Sequence, residues 1–335
     1  MNRASLFFAV LLAVIVPLSL LAGRVWINPF AGTAAAPNAA LILMELRLPR
    51  AVLGVVIGAG LGAAGAAMQG YLRNPLADPG LFGIAPTAAL GAVASFWFGA
   101  LLPPALAAFS LPAFALAGAG LAMALLAVIA GRSLSDGASG AGGGIALFTL
   151  AGLMIASLAG ALTALAITLS PNAFALSQIV MWLNGALTDR SWNEVWIAAP
   201  LVLAGIGTLG LAARSLDALT LGEEAARSMG VDPRRLLWLL IAGIGLTVGA
   251  SVAVAGIIGF VGLIVPHLVR PLTDRMPSSL LVPSALAGAC LVVAADAAVR
   301  ILPLVTELRL GIALSLIGAP FFVWLLVRMR RGGVG

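Results

Sequence analysis

Apolar residues run along this chain in long blocks, without the 3.6- or 2-residue alternation that marks half-buried surface elements. Blocks of about eighteen or more mostly apolar residues predict membrane-crossing helices near 5–26, 50–71, 82–102, 106–131 and 144–169. After a broken stretch at 170–192, further blocks follow near 193–212, 235–257, 279–299 and 309–328. The segment from Ile258 to Arg270 is too short for an ordinary crossing and carries Gly259, Gly262 and Pro266, which predicts a short or broken helix. Counting it gives about ten crossings. The expected fold is therefore all-α: a polytopic integral membrane protein forming one transmembrane domain over residues 1–335.

Composition agrees, with 62% hydrophobic and 9% charged residues in 335 and a mean hydropathy of +1.14, against roughly 25% charged in a soluble average. Ten crossings leave no room for a soluble domain of useful size. All 18 basic residues are Arg, so a Walker-A phosphate loop, which needs a Lys to reach the terminal phosphates, is absent. Cys290 and His267 are the sole residues of their kinds, which excludes an intrachain disulfide and a metal site built from several thiols or imidazoles; both read as packing residues. The arginines are scattered singly between apolar blocks, a topological pattern and not a nucleic-acid stripe. With ten crossings and both termini cytoplasmic, twelve arginines lie inside and six outside, in the sense of the positive-inside rule. For the first block a cleaved signal peptide is the rival reading.

Small residues recur along one side of the second block at Gly54, Gly58, Gly62 and Gly65, a spacing that lets helix backbones approach closely in lipid. A shift of five crossings aligns the block opening at Arg50 with that opening at Arg235, and because five is odd the two copies would be inverted, as in many transporters.

Three polar constellations interrupt the apolar pattern. Leu46-Arg47-Leu48-Pro49-Arg50 puts two arginines on the expected outer side, at a predicted helix N-terminus whose dipole repels cations. They read either as headgroup contacts or partners of Glu45, or as docking points for carboxylates of an external protein. Arg300 is a third such residue, with Asp296 one turn earlier placed to orient it. The second constellation lies on the inner side at about 217–230: Thr220-Leu221-Gly222-Glu223 has capping-box spacing, Gly230 is a helix stop, and Leu221, Ala225 and Met229 recur on one face. A helix this short is marginal alone and needs a surface to pack on. Asp232-Pro233 then opens the next block. The third is Arg73-Asn74-Pro75-Leu76-Ala77-Asp78-Pro79-Gly80, a double turn signal. Gln69, an isolated amide just before it, reads as an interhelical hydrogen bond, with a path or gate role as the alternative. Gly142-Gly143-Gly144 reads as a flexible loop or a hinge beside the path.

Several of these stretches occur together in a known order. Arg47-Leu48-Pro49-Arg50, Met68-Gln69-Gly70 with the Arg73-to-Pro79 turn, Leu221 through Gly230, Gly256 through His267, and Gly318-Ala319-Pro320-Phe321 make the chain resemble the permease family of binding-protein-dependent ATP-binding-cassette importers for iron chelates, haem and cobalamin. The resemblance runs through nearly the whole chain. It implies a homodimer in the bacterial cytoplasmic (inner) membrane, two cytoplasmic ATPase subunits that bind ATP and Mg, and an external or periplasmic substrate-binding protein. It further implies that Arg47, Arg50 and Arg300 meet acidic residues of that binding protein. Thr220, Leu221, Gly222, Glu223, Glu224, Ala225, Ala226, Arg227, Met229 and Gly230 would form the coupling helix seated on the ATPase. No catalytic residue, metal or cofactor of this chain's own is expected. Two places depart from the family pattern: Arg309 stands where Pro usually follows Glu307-Leu308, and Pro86-Thr87 replaces a usual Ser-Gly. The rival function is a stand-alone secondary transporter driven by an ion gradient, which requires ionisable groups near the bilayer midplane.

Overall fold

A computed structural model describes residues 3–23, 39–107, 109–135, 143–170 and 172–332. Their regular elements are helices throughout. The twelve principal ones are α1 (Arg3–Leu21), α2 (Leu48–Tyr71), α3 (Ile84–Phe98), α4 (Ser110–Ser135), α5 (Gly143–Thr168), α6 (Ala173–Leu183), α7 (Trp192–Leu219), α8 (Glu223–Ser228), α9 (Pro233–Ala255), α10 (Val261–Val269), α11 (Pro277–Ile301) and α12 (Leu310–Gly332). Eight of these are long and apolar enough to cross a bilayer, and α3 and α10 are shorter apolar helices at the positions of two further expected crossings. The protein is a multi-pass membrane protein.

Among the departures from the expected boundaries, three bear on residues that the sequence singles out. The third crossing is shorter than its apolar block, because Gly83 at φ 72° starts α3 and a 3-10 turn at Gly99–Leu101 ends it. Pro86 and Thr87 sit in the first turn of α3, where the Thr87 hydroxyl donates to the Gly83 carbonyl at 2.7 Å, so this departure leaves an ordinary helix start. Downstream, α7 continues through Arg214 and Asp217 to Leu219, well past the expected end near 212, since its buried side carries Leu209, Ala212 and Leu216 at helical spacing. Finally, Gly143 and Gly144 belong to the first turn of α5, not to a loop, and Gly142 lies outside the described residues.

The core forms around α2. It packs along α11 and against α7, α9 and α10, and 78% of its best apolar window is buried, a share matched only by α9 among the eight long helices. These are the two helices that the five-crossing shift aligns. The glycine side of α2 is where close approach occurs: a Cβ on Gly58 would collide with the backbone of Gly288 in α11, one on Gly62 with Ser284, and one on Gly65 with Gly262 in α10. Lipid tails supply no hydrophobic drive between helices, so this backbone-to-backbone packing is the main source of cohesion. By contrast α1, α4, α5 and α12 have only 17%, 28%, 22% and 28% of their windows buried and present rows of exposed Leu, Val, Phe and Met.

Candidate functional site

The two polar ends of the bundle hold the candidate residues. At one end, Arg47, Arg50 and Arg300 converge with Glu307 on a cleft of about 180 Å³. The sequence grouped the three arginines correctly but misjudged the local helix. The segment Ile42–Arg47 is a π-helix that runs straight into α2. Pro49 has no N–H and its ring crowds the carbonyl four residues earlier, and the wider π turn relieves that conflict. Arg47 and Arg50 therefore stand within a continuous helical run, not at its positive N-terminal end.

The dipole they meet is instead that of α1, at its C-terminus. Arg47 Nη1 donates to the carbonyls of Leu20 and Leu21 at 2.8 and 3.1 Å, and Arg300 Nη1 donates to Ala22 O at 3.3 Å. Two cations thus cap carbonyls that have no partner within their own helix, at its negative end. Arg50 faces the other way, into α11. Its Nε and Nη2 donate to Asp296 at 3.0 and 2.7 Å, and its two Nη groups bond Glu307 in the loop after α11. The expected i,i+4 pair forms as well, with Arg300 Nε 3.2 Å from Asp296. Glu45, an alternative partner in the sequence reading, is exposed and takes no part in these pairs.

The carboxylates are unequal. Asp296 is 2% exposed and bridges Arg50 to Arg300, whereas the Glu307 side chain is 23% exposed and is steadied by Thr188 at 3.3 Å. Burial pushes the Glu307 carboxyl upward in pKa, but the hydrogen bond and charge of Arg50, with Thr188 and Arg300 adding to them, hold it below the usual carboxylate range. Three guanidinium groups against two carboxylates leave the cleft one positive charge in excess.

At the opposite end, the long run of α7 displaces the expected cap. Thr220 is the C-cap of α7, and its hydroxyl donates back to Asp217 O at 2.7 Å. The N-cap of α8 is Gly222, at φ 104° and with no side chain to cap anything. The predicted Thr220–Glu223 capping box is therefore not formed; Glu223 lies 4.0 Å from Arg227 across one turn. The capping box that does form is Ser191 with Glu194 at the start of α7, a serine-x-x-glutamate signal just ahead of an apolar block that the sequence reading passed over. Two other expectations hold. Gly230 ends α8 at φ 84°, and the Asp232 carboxylate accepts from Arg234 N at 2.8 Å with Pro233 in the first turn of α9.

Ala226 packs α8 onto the bundle, while Leu221 and Met229 are 68% and 63% exposed. Of the three residues expected on one apolar face, Ala225 is half-buried and these two are largely exposed. Asp217, next to α8, also accepts from Ser278 N in the first turn of α11 at 2.8 Å. A continuous path of packed helix thus joins α8, through α7 and α11, to the Asp296–Arg300 pair at the far end. Gln69 makes the interhelical bonds expected of it: its amide donates to Leu263 O at 3.2 Å and accepts from Arg270 at 2.9 Å, tying α2 to α10 and the turn that follows.

The chain matches the FecCD transport family over residues 11–328. It is 39% identical over 292 residues to the hemin transport system permease protein HmuU of Yersinia pestis, covering 87% of this chain and 84% of that one. To the vitamin B12 import system permease protein BtuC of Vibrio cholerae it is 38% identical over 331 residues, covering 98% and 94%. The Fe(3+) dicitrate permease FecD of Escherichia coli is 37% identical over 290 residues, covering 86% of each. A solved metal-chelate type ABC transporter in an inward-facing conformation superposes with a TM-score of 0.84 at 29% identity, covering 97% of this chain and 98% of that one. With a family match that spans nearly every helix and a shared fold, this chain belongs to the FecCD transport family of ABC importer permeases.

Proposed function

We propose that two copies of this chain form the membrane path of an importer that takes up an iron chelate, haem included, or cobalamin, with the transport energy supplied by two ATPase subunits that bind ATP and Mg on the cytoplasmic side. The observation that carries this reading is α8: a six-residue helix, too short to persist alone in water, flanked by the exposed Leu221 and Met229. Such a helix fits a groove on a partner. Motion imposed on it reaches the opposite end through α7, the Asp217–Ser278 bond and α11. There the cleft of Arg47, Arg50 and Arg300, with its excess positive charge, suits the carboxylates of an external substrate-binding protein. Exposed apolar faces on α5 and α12 suit a second copy, with the path between the two. In this reading the protein sits in the bacterial inner membrane with both termini cytoplasmic, in line with the arginine asymmetry.

An ion-coupled secondary transporter would carry an ionisable group near the midplane. Among the described residues, the acidic groups in the long helices lie near helix ends; Asp296 is five residues from the end of α11, about 8 Å along the axis, and is paired with two arginines. The ATPase reading is tested with Leu221→Glu/Met229→Glu, reconstituted with the ATPase subunits and the binding protein. Uptake is expected to stop while helical content stays unchanged. Uptake at the wild-type rate would reject α8 as the seat of the ATPase.

A further inference from the structure

Beside α8, a cavity of about 510 Å³ opens between α7 and α9, within the roughly 300–1,000 Å³ of ordinary small-molecule pockets. Arg214 from α7 and Arg235 from α9 both line it. Neither makes an ion pair with a carboxylate among the described residues. The acidic residue in the wall is Asp232, whose carboxylate is committed to capping α9, so the walls carry two guanidinium groups against one carboxylate. The remaining lining is largely apolar and includes Leu211 and Leu239. Leu211 is 72% exposed, and Trp238, one turn from Arg235 on the outer surface of α9, is 48% exposed.

Depth fixes the kind of ligand. The 23 residues of α9 span about 34 Å, close to the roughly 30 Å hydrocarbon thickness of a bilayer. Arg235 lies about 3 Å from the start of that helix and Leu239 about 9 Å, so the arginines stand at headgroup level and the leucines below it. We infer that this cavity is a binding site for an anionic phospholipid, its phosphodiester held between Arg214 and Arg235 and its acyl chain laid along Leu211 and Leu239 beside Trp238. A soluble protein could reach the arginines but not the leucines beneath them. Because Met229 and Gly230 also line the cavity, the bound lipid would buttress the end of α8.

The test uses the full-length protein in neutral detergent, titrated with phosphatidylglycerol brominated on its acyl chains. Quenching is read as the difference in emission between the wild type and Trp238→Phe. Brominated phosphatidylglycerol should quench at about thirtyfold lower concentration than brominated phosphatidylcholine, the combined effect of two arginines near a membrane surface. Arg214→Gln/Arg235→Gln should lose that preference, and Arg214→Lys/Arg235→Lys should keep most of it. Equal quenching by the two lipids in the wild type overturns the inference without recourse to any variant. So does an unchanged preference in the Gln double variant. Relief of quenching by millimolar glycerol phosphate would make this a site for free phosphate, and loss of the lipid on adding ATPase subunits would make it part of a protein contact; either result also overturns it.

Discussion

Replacing Asp296 by Asn removes one charge and little volume at a position where two guanidinium groups depend on it. In the wild type the Asp296 carboxylate accepts from Arg50 at 2.7 Å and lies 3.2 Å from Arg300. Arg50 would keep Glu307, but Arg300, which is buried, would lose its paired carboxylate and be left with neutral acceptors, the amide oxygen and backbone carbonyls. Removing one member of a buried pair costs about 3–5 kcal/mol. Because Arg50 keeps its second carboxylate, the lower end applies, about 3 kcal/mol, or roughly a hundredfold in the ratio of folded to unfolded protein. Glu307→Gln is the internal comparison. Its side chain is partly exposed, so the loss should be about 1 kcal/mol or less. Heat unfolding of the purified protein, followed by helical circular dichroism, should place Asp296→Asn well below Glu307→Gln and Glu307→Gln close to the wild type. If the two variants unfold together, or Asp296→Asn matches the wild type, Asp296 is not the fixed counter-ion of the cluster.

Gly62→Ala, which drives a methyl into the backbone of Ser284, should lose about 1–3 kcal/mol, whereas Gly207→Ala, with nothing within 4 Å, should be neutral or gain up to about 1 kcal/mol from helix propensity; the two unfolding temperatures check this. Ser191→Ala should cost about 0.5–2 kcal/mol through loss of the α7 cap, and Thr220→Ala less, because the Thr220 hydroxyl caps no backbone N–H. The Glu307 carboxyl, held below its ordinary pKa, contributes stability that is fully present above the unfolded value of about 4.3 and is lost as pH falls through the folded value. Wild type and Glu307→Gln should therefore converge in stability on acidification below about pH 4, and a constant gap down to pH 2 would contradict the pairing.

The crossings were legible because bilayer thickness imposes a length on each apolar block, and proline–glycine turns such as Asn74-Pro75 to Gly80 punctuate them. The glycine side of α2 was legible for a related reason, since only small residues permit that approach. What escaped was either long-range or local competition. Arg50 finds Asp296 across 246 positions, and no spacing rule announces that contact or the folding of Arg47 and Arg300 onto the end of α1. The end of α7 was misplaced because Arg214 and Asp217 read as loop, although they lie on the exposed and half-buried side of a helix whose other side stays apolar. That error carried Thr220 into a capping role it does not have. That α8 needs a surface to pack against was legible from its shortness and apolar spacing, while the exposure of Leu221 and Met229 at its ends needed the fold to show it.

Uptake into proteoliposomes decides most directly whether this chain is a path that others drive. With labelled haem, ferric chelate and cobalamin outside, the purified chain alone should give no accumulation under a proton or sodium gradient. Adding the ATPase subunits, the binding protein and ATP should give accumulation of one of these ligands. Gradient-driven accumulation by the chain alone would contradict the assignment.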